Sequence, residues 1–298
     1  MKSERAGGTW LLLGVLALIW GSSFILMKRG LYHDGQPVLT PWQMATARLS
    51  IAWLALSPLL LRHAGALRRH WKPMLGSGLL GNGIPALLFA TAQTRIDSAL
   101  SGMLNSLTPL MTLLTGVLFF STPVRLIHFI GIGLGLAGAA GLVAFANGGG
   151  AARWSWFALL PVLATLGYGF SGNIVKRHLH AVPPLATAVG ALTWVGPVSI
   201  VLALTSGLPT AVLEHPHAWS ALGHVAVLAV MSSAFALVLW NMLLARTTAI
   251  KASMVTYLMP VVAIGWGLVD GERIGWAQLA MIALVLAAVW ITSFSERR

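Results

Sequence analysis

Apolar runs of roughly 20 residues recur along the whole chain, separated by short connectors. A run of that length matches a helix that crosses the hydrocarbon core of a bilayer. Lipid offers no partner to an open backbone, so each run must satisfy its hydrogen bonds internally as a helix. The runs are apolar on all sides rather than alternating, which excludes an outer-membrane barrel. Charged residues make up 9% of the chain, against about 25% in soluble domains, too few to cover a water-facing surface. The expected fold class is an all-α polytopic membrane protein.

Ten transmembrane helices fit, at about 9–27, 41–61, 74–93, 98–120, 125–146, 155–175, 184–206, 219–244, 250–269 and 275–294. The net charge of +12 sits in short clusters between runs, where topology signals belong, and does not indicate nucleic-acid binding. There is no cysteine, so neither a disulfide nor a thiolate metal site is available. The basic N-terminus with Lys2 and Arg5 mimics a signal peptide, but Trp10 to Met27 is too long for a signal core and reads as a retained span.

The chain is one unit written twice. Shifting Thr94–Gly116 by 151 positions lays Arg95, Met103, Leu107, Pro109 and Gly116 on Arg246, Met254, Leu258, Pro260 and Gly267. Near the first span, a shift of 148 pairs Gly21, Ser23, Lys28, Arg29 and Leu31 with Gly169, Ser171, Lys176, Arg177 and Leu179. The glycine-rich stretch Asn147 to Arg153 is the natural seam. The expected units are an N-terminal five-helix repeat, 1–147, and a C-terminal one, 154–298. An odd number of spans per unit makes the second enter from the opposite side, giving two inverted five-helix repeats with a solute site between them. With both termini cytoplasmic, the inner segments hold most of the Lys and Arg, the connector RHAGALRRHWK above all.

The WGSSF of Trp20 to Phe24 followed by Lys28, the arginine Arg48 in the second span, and the Leu-x-Pro pairs Leu107–Pro109 and Leu258–Pro260 resemble the drug/metabolite transporter superfamily in its ten-span EamA branch. The resemblance covers nearly the whole chain. It implies a bacterial inner-membrane exporter, most like those for aromatic and neutral amino acids, working by alternating access. Exporters of drugs or other metabolites coupled to protons are the alternative within it.

The residues themselves bear on that expectation. All seven acids (Glu4, Asp34, Asp97, Glu214, Asp270, Glu272 and Glu296) fall in termini, loops or span ends. A proton-coupled pump usually keeps an ionisable group at depth. A facilitator therefore fits, unless His128, His224 or the solute itself carries coupling. Arg48 is the one charge placed within a span, roughly 10 Å along its helix from Pro41. Its guanidinium either reaches back to the interface or lines the path and pairs with a solute carboxylate.

Polar groups in hydrocarbon must face protein or a wet cavity. The candidates are Ser22, Ser23, Asn82, Gln93, Asn105, Ser106, Asn173, Asn241 and Thr256, with Trp20, Tyr168, Trp240 and Tyr257 as cavity walls and Met103 and Met254 as permissive packing. Pro85, Pro109 and Pro260 are candidate kinks for gating. Of the 13 tryptophans, Trp10, Trp42, Trp71, Trp154, Trp219 and Trp276 sit at span ends, where a membrane-interface belt is expected. An intramembrane enzyme would need His-Glu-x-x-His or paired aspartates, and a channel would need rings of like charge; the sequence has neither. No catalytic residue, metal or cofactor is expected. The expected partners are a small-molecule substrate and the lipid bilayer, with no nucleic acid, and a single copy suffices for the mechanism.

Overall fold

The computed structural model describes residues 2–123, 126–145 and 155–294. The glycine-rich seam, Trp154 and the side chains of Trp10 and Met254 lie outside the described part. Ten apolar helical stretches follow in order: α1 Lys2–Leu31, α2 Pro41–Arg69, α3 Trp71–Ala92, α4 Ser98–Phe120, α5 Leu126–Ala144, α6 Trp156–His178, α7 Pro184–Thr205, α8 Ala218–Arg246, α9 Ala249–Val269 and α10 Trp276–Phe294. Among the described residues nine of these are long and apolar enough to cross a membrane, and α10 carries a shorter apolar stretch, Trp276–Ala288. The fold is all-α and polytopic. Large apolar side chains such as Leu118, Phe119 and Leu204 are exposed, as a lipid-facing surface requires. Trp42, Trp71, Trp219 and Trp276 are also exposed at helix ends.

Local chemistry sets the helix ends. Thr40 caps α2 through a reciprocal capping box with Gln43, and Pro41 fills the first turn, where its missing N–H costs nothing. Lys28 and Arg29 end α1, and Lys176, Arg177 and His178 end α6, each favourable at the negative pole of a helix. Between α1 and α2 a small hairpin pairs Tyr32 with Pro37, turning at Asp34 and Gly35, both at positive φ. The connector RHAGALRRHWK, expected as a loop, is mostly helix: α2 runs to Arg69, with Leu67 buried beneath the basic residues. Its charges mask an amphipathic turn.

Four helices are interrupted at depth. In α3 the stretch Leu79–Gly83 widens to a π-helix, and in α8 Leu228–Phe235 does the same. These begin 149 positions apart. In α4 the helix breaks after Asn105 and restarts at Thr108, with Pro109 in its new first turn. In α9 a 3-10 turn, Met254–Tyr257, precedes the restart at Met259 with Pro260. Pro85 likewise opens the α-helical stretch Ile84–Ala92. Proline cannot donate to the carbonyl four residues back. At Pro109 that carbonyl, Asn105 O, accepts from Thr108 Oγ1 at 2.7 Å instead.

Packing follows the repeat. α1 lies on α9 and α6 on α4; α1 also meets α8, and α6 meets α3; α2 meets α8, and α7 meets α3. α2 packs on α7, and α5 packs on α10. Each pairing has its counterpart in the other half. Matched glycines make the closest approaches possible: a Cβ on Gly21 would sit 2.6 Å from Val262 Cβ, and one on Gly169 would sit 2.7 Å from the Met111 carbonyl carbon. Met111 and Val262 are themselves 151 positions apart. In α5, Gly138 and Gly141 bring the helix against Val285 and Met281 of α10.

Candidate functional site

At the centre lies a cavity lined by α1, α2, α3, α4, α6, α8 and α9. The interrupted stretches supply much of its wall. The π segment of α3 contributes Gly81 and Asn82, and that of α8 contributes Ser232. The breaks of α4 and α9 contribute Asn105, Thr108, Thr256 and Met259. Irregular helix at membrane depth is tolerated where it borders a cavity.

Two aromatic groups face each other across the space. Trp20 and Trp240 sit 5.5 Å apart between ring centroids, and Trp20 Nε1 donates to the Ser232 carbonyl at 3.0 Å. Opposite, Phe89 lies 5.6 Å from Phe24 and stacks with Tyr168 at 6.1 Å. Arg48 enters from α2, its Nε donating to Ser233 Oγ at 2.7 Å. It is half-buried although deep in the fold, because its remaining surface faces the cavity. Tyr168 lines the same cavity as Arg48. Among the described residues no carboxylate lines the cavity. Seven residues into α7, where Arg48 stands in α2, is Ala191, so the charge is not repeated.

Of the residues singled out in the sequence, the structure brings Trp20, Ser23, Arg48, Asn82, Asn105, Tyr168, Trp240, Asn241 and Thr256 to this cavity. The others lie elsewhere. Ser22 accepts from Trp266 Nε1 at 2.9 Å on the outer face of α1. Asn173 ties α6 to α4, donating to Thr112 O and Thr115 Oγ1 at 2.9 and 3.0 Å. Met103 is fully buried in the α4–α5–α10 core, against which Tyr257 packs. Gln93 is buried at the end of α3. His128 and His224 do not line the cavity. Phe24, Met27, Ser77, Phe89, Thr108, Ser171, Val175, Ser232, Leu237 and Met259 line it without having been singled out. The repeat offered a signal for some of them: Ser171 and Val175 are the counterparts of Ser23 and Met27, and Met259 is the counterpart of Thr108.

The two matched Lys-Arg pairs are held differently. Lys28 Nζ bridges Asp270 and Glu272 at 2.7 and 2.8 Å, and Arg29 reaches Asp270 at 3.3 Å. Glu272 also accepts from Ser98 N, Ser98 Oγ and Ala99 N at 3.0, 2.7 and 2.9 Å. It thereby caps α4, a task that Asp97 at the N-cap position leaves undone. Burial alone would raise the Glu272 carboxyl, but the bonds from Lys28, Ser98 and Ala99 outweigh it and hold the group below its ordinary range. Asp97 is pushed up, first by burial and then by the Glu272 charge, against the pull of Lys28. In the second half Lys176 Nζ donates to the carbonyls of Leu244 and Thr247 at 3.0 and 2.6 Å, and Arg177 donates to Phe120 O at 3.1 Å. Five residues past the matched glycines Gly116 and Gly267, Ser121 stands where the other half has Glu272.

Bundled helices in paired halves around a central polar-aromatic cavity define a polytopic membrane transporter. A model of the EamA-like transporter family matches twice, over residues 8–144 and 155–294, and the chain belongs to that family. It is 27% identical over 293 residues to the uncharacterized inner membrane transporter YedA of Escherichia coli K12, covering 94% of this chain and 89% of that one. It is 24% identical over 294 residues to a probable amino-acid metabolite efflux pump of Salmonella typhimurium LT2, covering 95% and 94% of the two chains. A crystal structure with 17% sequence identity superposes with a TM-score of 0.64 over 98% of each chain, a likeness of fold.

Proposed function

We propose that the protein exports, or lets run down their gradient, amino acids of the aromatic and neutral kind or similar small metabolites across the bacterial inner membrane. The halves 1–147 and 154–298 act as two inverted repeats that rock about the cavity, with both chain ends in the cytoplasm. One observation carries this reading: counterpart positions line one space. Trp20 and Tyr168, Ser23 and Ser171, Met27 and Val175, Asn105 and Thr256, and Thr108 and Met259 all face it. A site built from equivalent positions of two halves can be offered to either side by moving one half against the other. The description of the Salmonella relative supports the solute class. Aromatic walls suit an apolar side chain, and Arg48 suits a carboxylate.

That no carboxylate lines the cavity among the described residues favours facilitation over proton coupling. The test is counterflow in proteoliposomes loaded with an amino-acid mixture and read by mass spectrometry, with and without a pH gradient. Exchange of neutral and aromatic amino acids without a gradient is expected. Exchange that requires the gradient would overturn facilitation, and no exchange of any amino acid would overturn the solute class.

A further inference from the structure

The basic end of α2 carries exposed chemistry that the cavity does not use. Its last stretch, Leu60–Arg69, is rooted on one side: Leu67 is buried in the core that holds Leu179, Val182 and Ala186, and Leu60 and Ala66 pack against that core. On a helix the surface neighbours of a residue stand three and four positions away. For Gly65 these are Leu61, Arg62, Arg68 and Arg69, and all four are exposed, as Gly65 is. A Cβ on Gly65 would meet nothing within 4 Å. The glycine is therefore a notch ringed by three arginines and one leucine, and that leucine is 87% exposed. No Asp or Glu occurs between Asp34 and Asp97. Among the described residues none of the three arginines is held in an ion pair.

Position along α2 sets what the notch meets. From Trp42 to Leu61 the helix rises about 30 Å, the thickness of a bilayer's hydrocarbon core. Trp42 and Trp71 are both exposed near the two ends of that rise, where interface side chains belong. Gly65, just beyond Leu61, falls in the headgroup layer. Lys72 adds a cation there, its Nζ 5.6 Å from the centroid of the Trp71 ring. A guanidinium pairs with phosphate through two parallel hydrogen bonds. We propose that the notch at Gly65 binds the phosphate of an anionic phospholipid, such as phosphatidylglycerol, between Arg62, Arg68 and Arg69, with Leu61 against its acyl chain. A soluble anion or an acidic peptide would satisfy the arginines but leave Leu61 uncovered. A lipid answers both, because its charge and its apolar chain lie on either side of the same boundary.

The inference needs the membrane-spanning fold and not the solute class. The full chain in detergent micelles is given equal amounts of phosphatidylglycerol and phosphatidylcholine, and native mass spectrometry counts the lipids retained. Phosphatidylglycerol is expected to be preferred at least about tenfold. Equal retention of the two lipids would overturn the proposal. Arg62→Gln/Arg69→Gln should cut the preference at least about fivefold, and so should Gly65→Glu, which sets a carboxylate in the notch. Glutamate costs a helix less than glycine does, so this second variant carries the test if the first fails to fold. Arg246→Gln/Lys251→Gln removes the same charge from exposed positions beside the α8–α9 connector and should leave the preference unchanged. An unchanged preference in the notch variants, or an equal loss in the α8–α9 variant, would overturn the assignment. Displacement of the lipid by inorganic phosphate or by a polyglutamate peptide would show a soluble occupant and overturn it as well.

Discussion

Glu272→Gln isolates the charge of the one acid that is buried among the described residues. The carboxylate accepts from four donors on two other parts of the chain, namely Lys28 Nζ, Ser98 N, Ser98 Oγ and Ala99 N. Glutamine keeps the shape but has one acceptor oxygen. Its amide nitrogen must face a donor, either Ala99 N or the group of Lys28 and Ser98. Hydrogen bonds involving a charged partner contribute about 1.5–3 kcal/mol each, and Lys28 retains Asp270, so it is not stranded. The expected loss is about 2–4 kcal/mol of the free energy that holds α1, α4 and the α9–α10 connector together. Intrinsic-fluorescence melting in detergent reads the stability.

Opening at that end is read separately. The native chain has no cysteine, so Ser23→Cys places a single thiol on the cavity wall without background. An impermeant maleimide added from the side of Lys28 should label it faster in the Glu272→Gln chain. Unchanged melting together with unchanged labelling would refute the assignment of Glu272 as a clamp. The acid response has a definite sign. The Glu272 carboxyl is held below its ordinary value, so its contribution is complete above the unfolded value of about 4 and is lost as pH falls through the lower, folded one. Asp97 beside it is raised, first by burial and then by the Glu272 charge, and opposes this trend. Glu272→Gln should therefore flatten the acid loss of stability.

Asp97→Asn removes a like charge beside Glu272 without removing a cap bond, and should raise the melting temperature at neutral pH by an amount worth under about 1 kcal/mol. Gly169→Val pushes a side chain into the Met111 backbone and should cost about 1–3 kcal/mol, with yield of folded protein as the readout. Pro109→Ala restores a donor for Asn105 O and lets α4 run straight, so transport should fall more than folded yield. Parallel loss of both would argue against a gating role.

The spans were legible because they are apolar runs of about membrane length, and the widest errors were the start of α1, at Lys2 rather than 9, and the end of α2, at Arg69 rather than 61. The basic residues of 62–69 concealed a helix turn whose apolar member is the single buried Leu67. Which side of each span faces the cavity was much less legible. A helix that meets lipid on one side and protein on the other is apolar all round, so polar residues were the only guide. That guide brought in Asn105 and Asn241 but also Asn173, whose amide is consumed between α6 and α4. The π segments leave no composition signature. The partnership of Lys28 with Glu272 spans 244 positions and could not be read from either neighbourhood.

The replacement of Glu272 by Ser121 in the other half has a further consequence. An inverted repeat with identical halves would have two resting states of equal energy, one open to each compartment. Any bias must then come from what the halves do not share. Here one threshold is bolted by carboxylates and the other by backbone carbonyls. Ionic strength and acidity in one compartment act on the first bolt and scarcely touch the second. A difference of about 1.4 kcal/mol between the bolts tips the resting population tenfold. If the halves rock as proposed, the chain would be a rectifier tuned from outside the site that it serves.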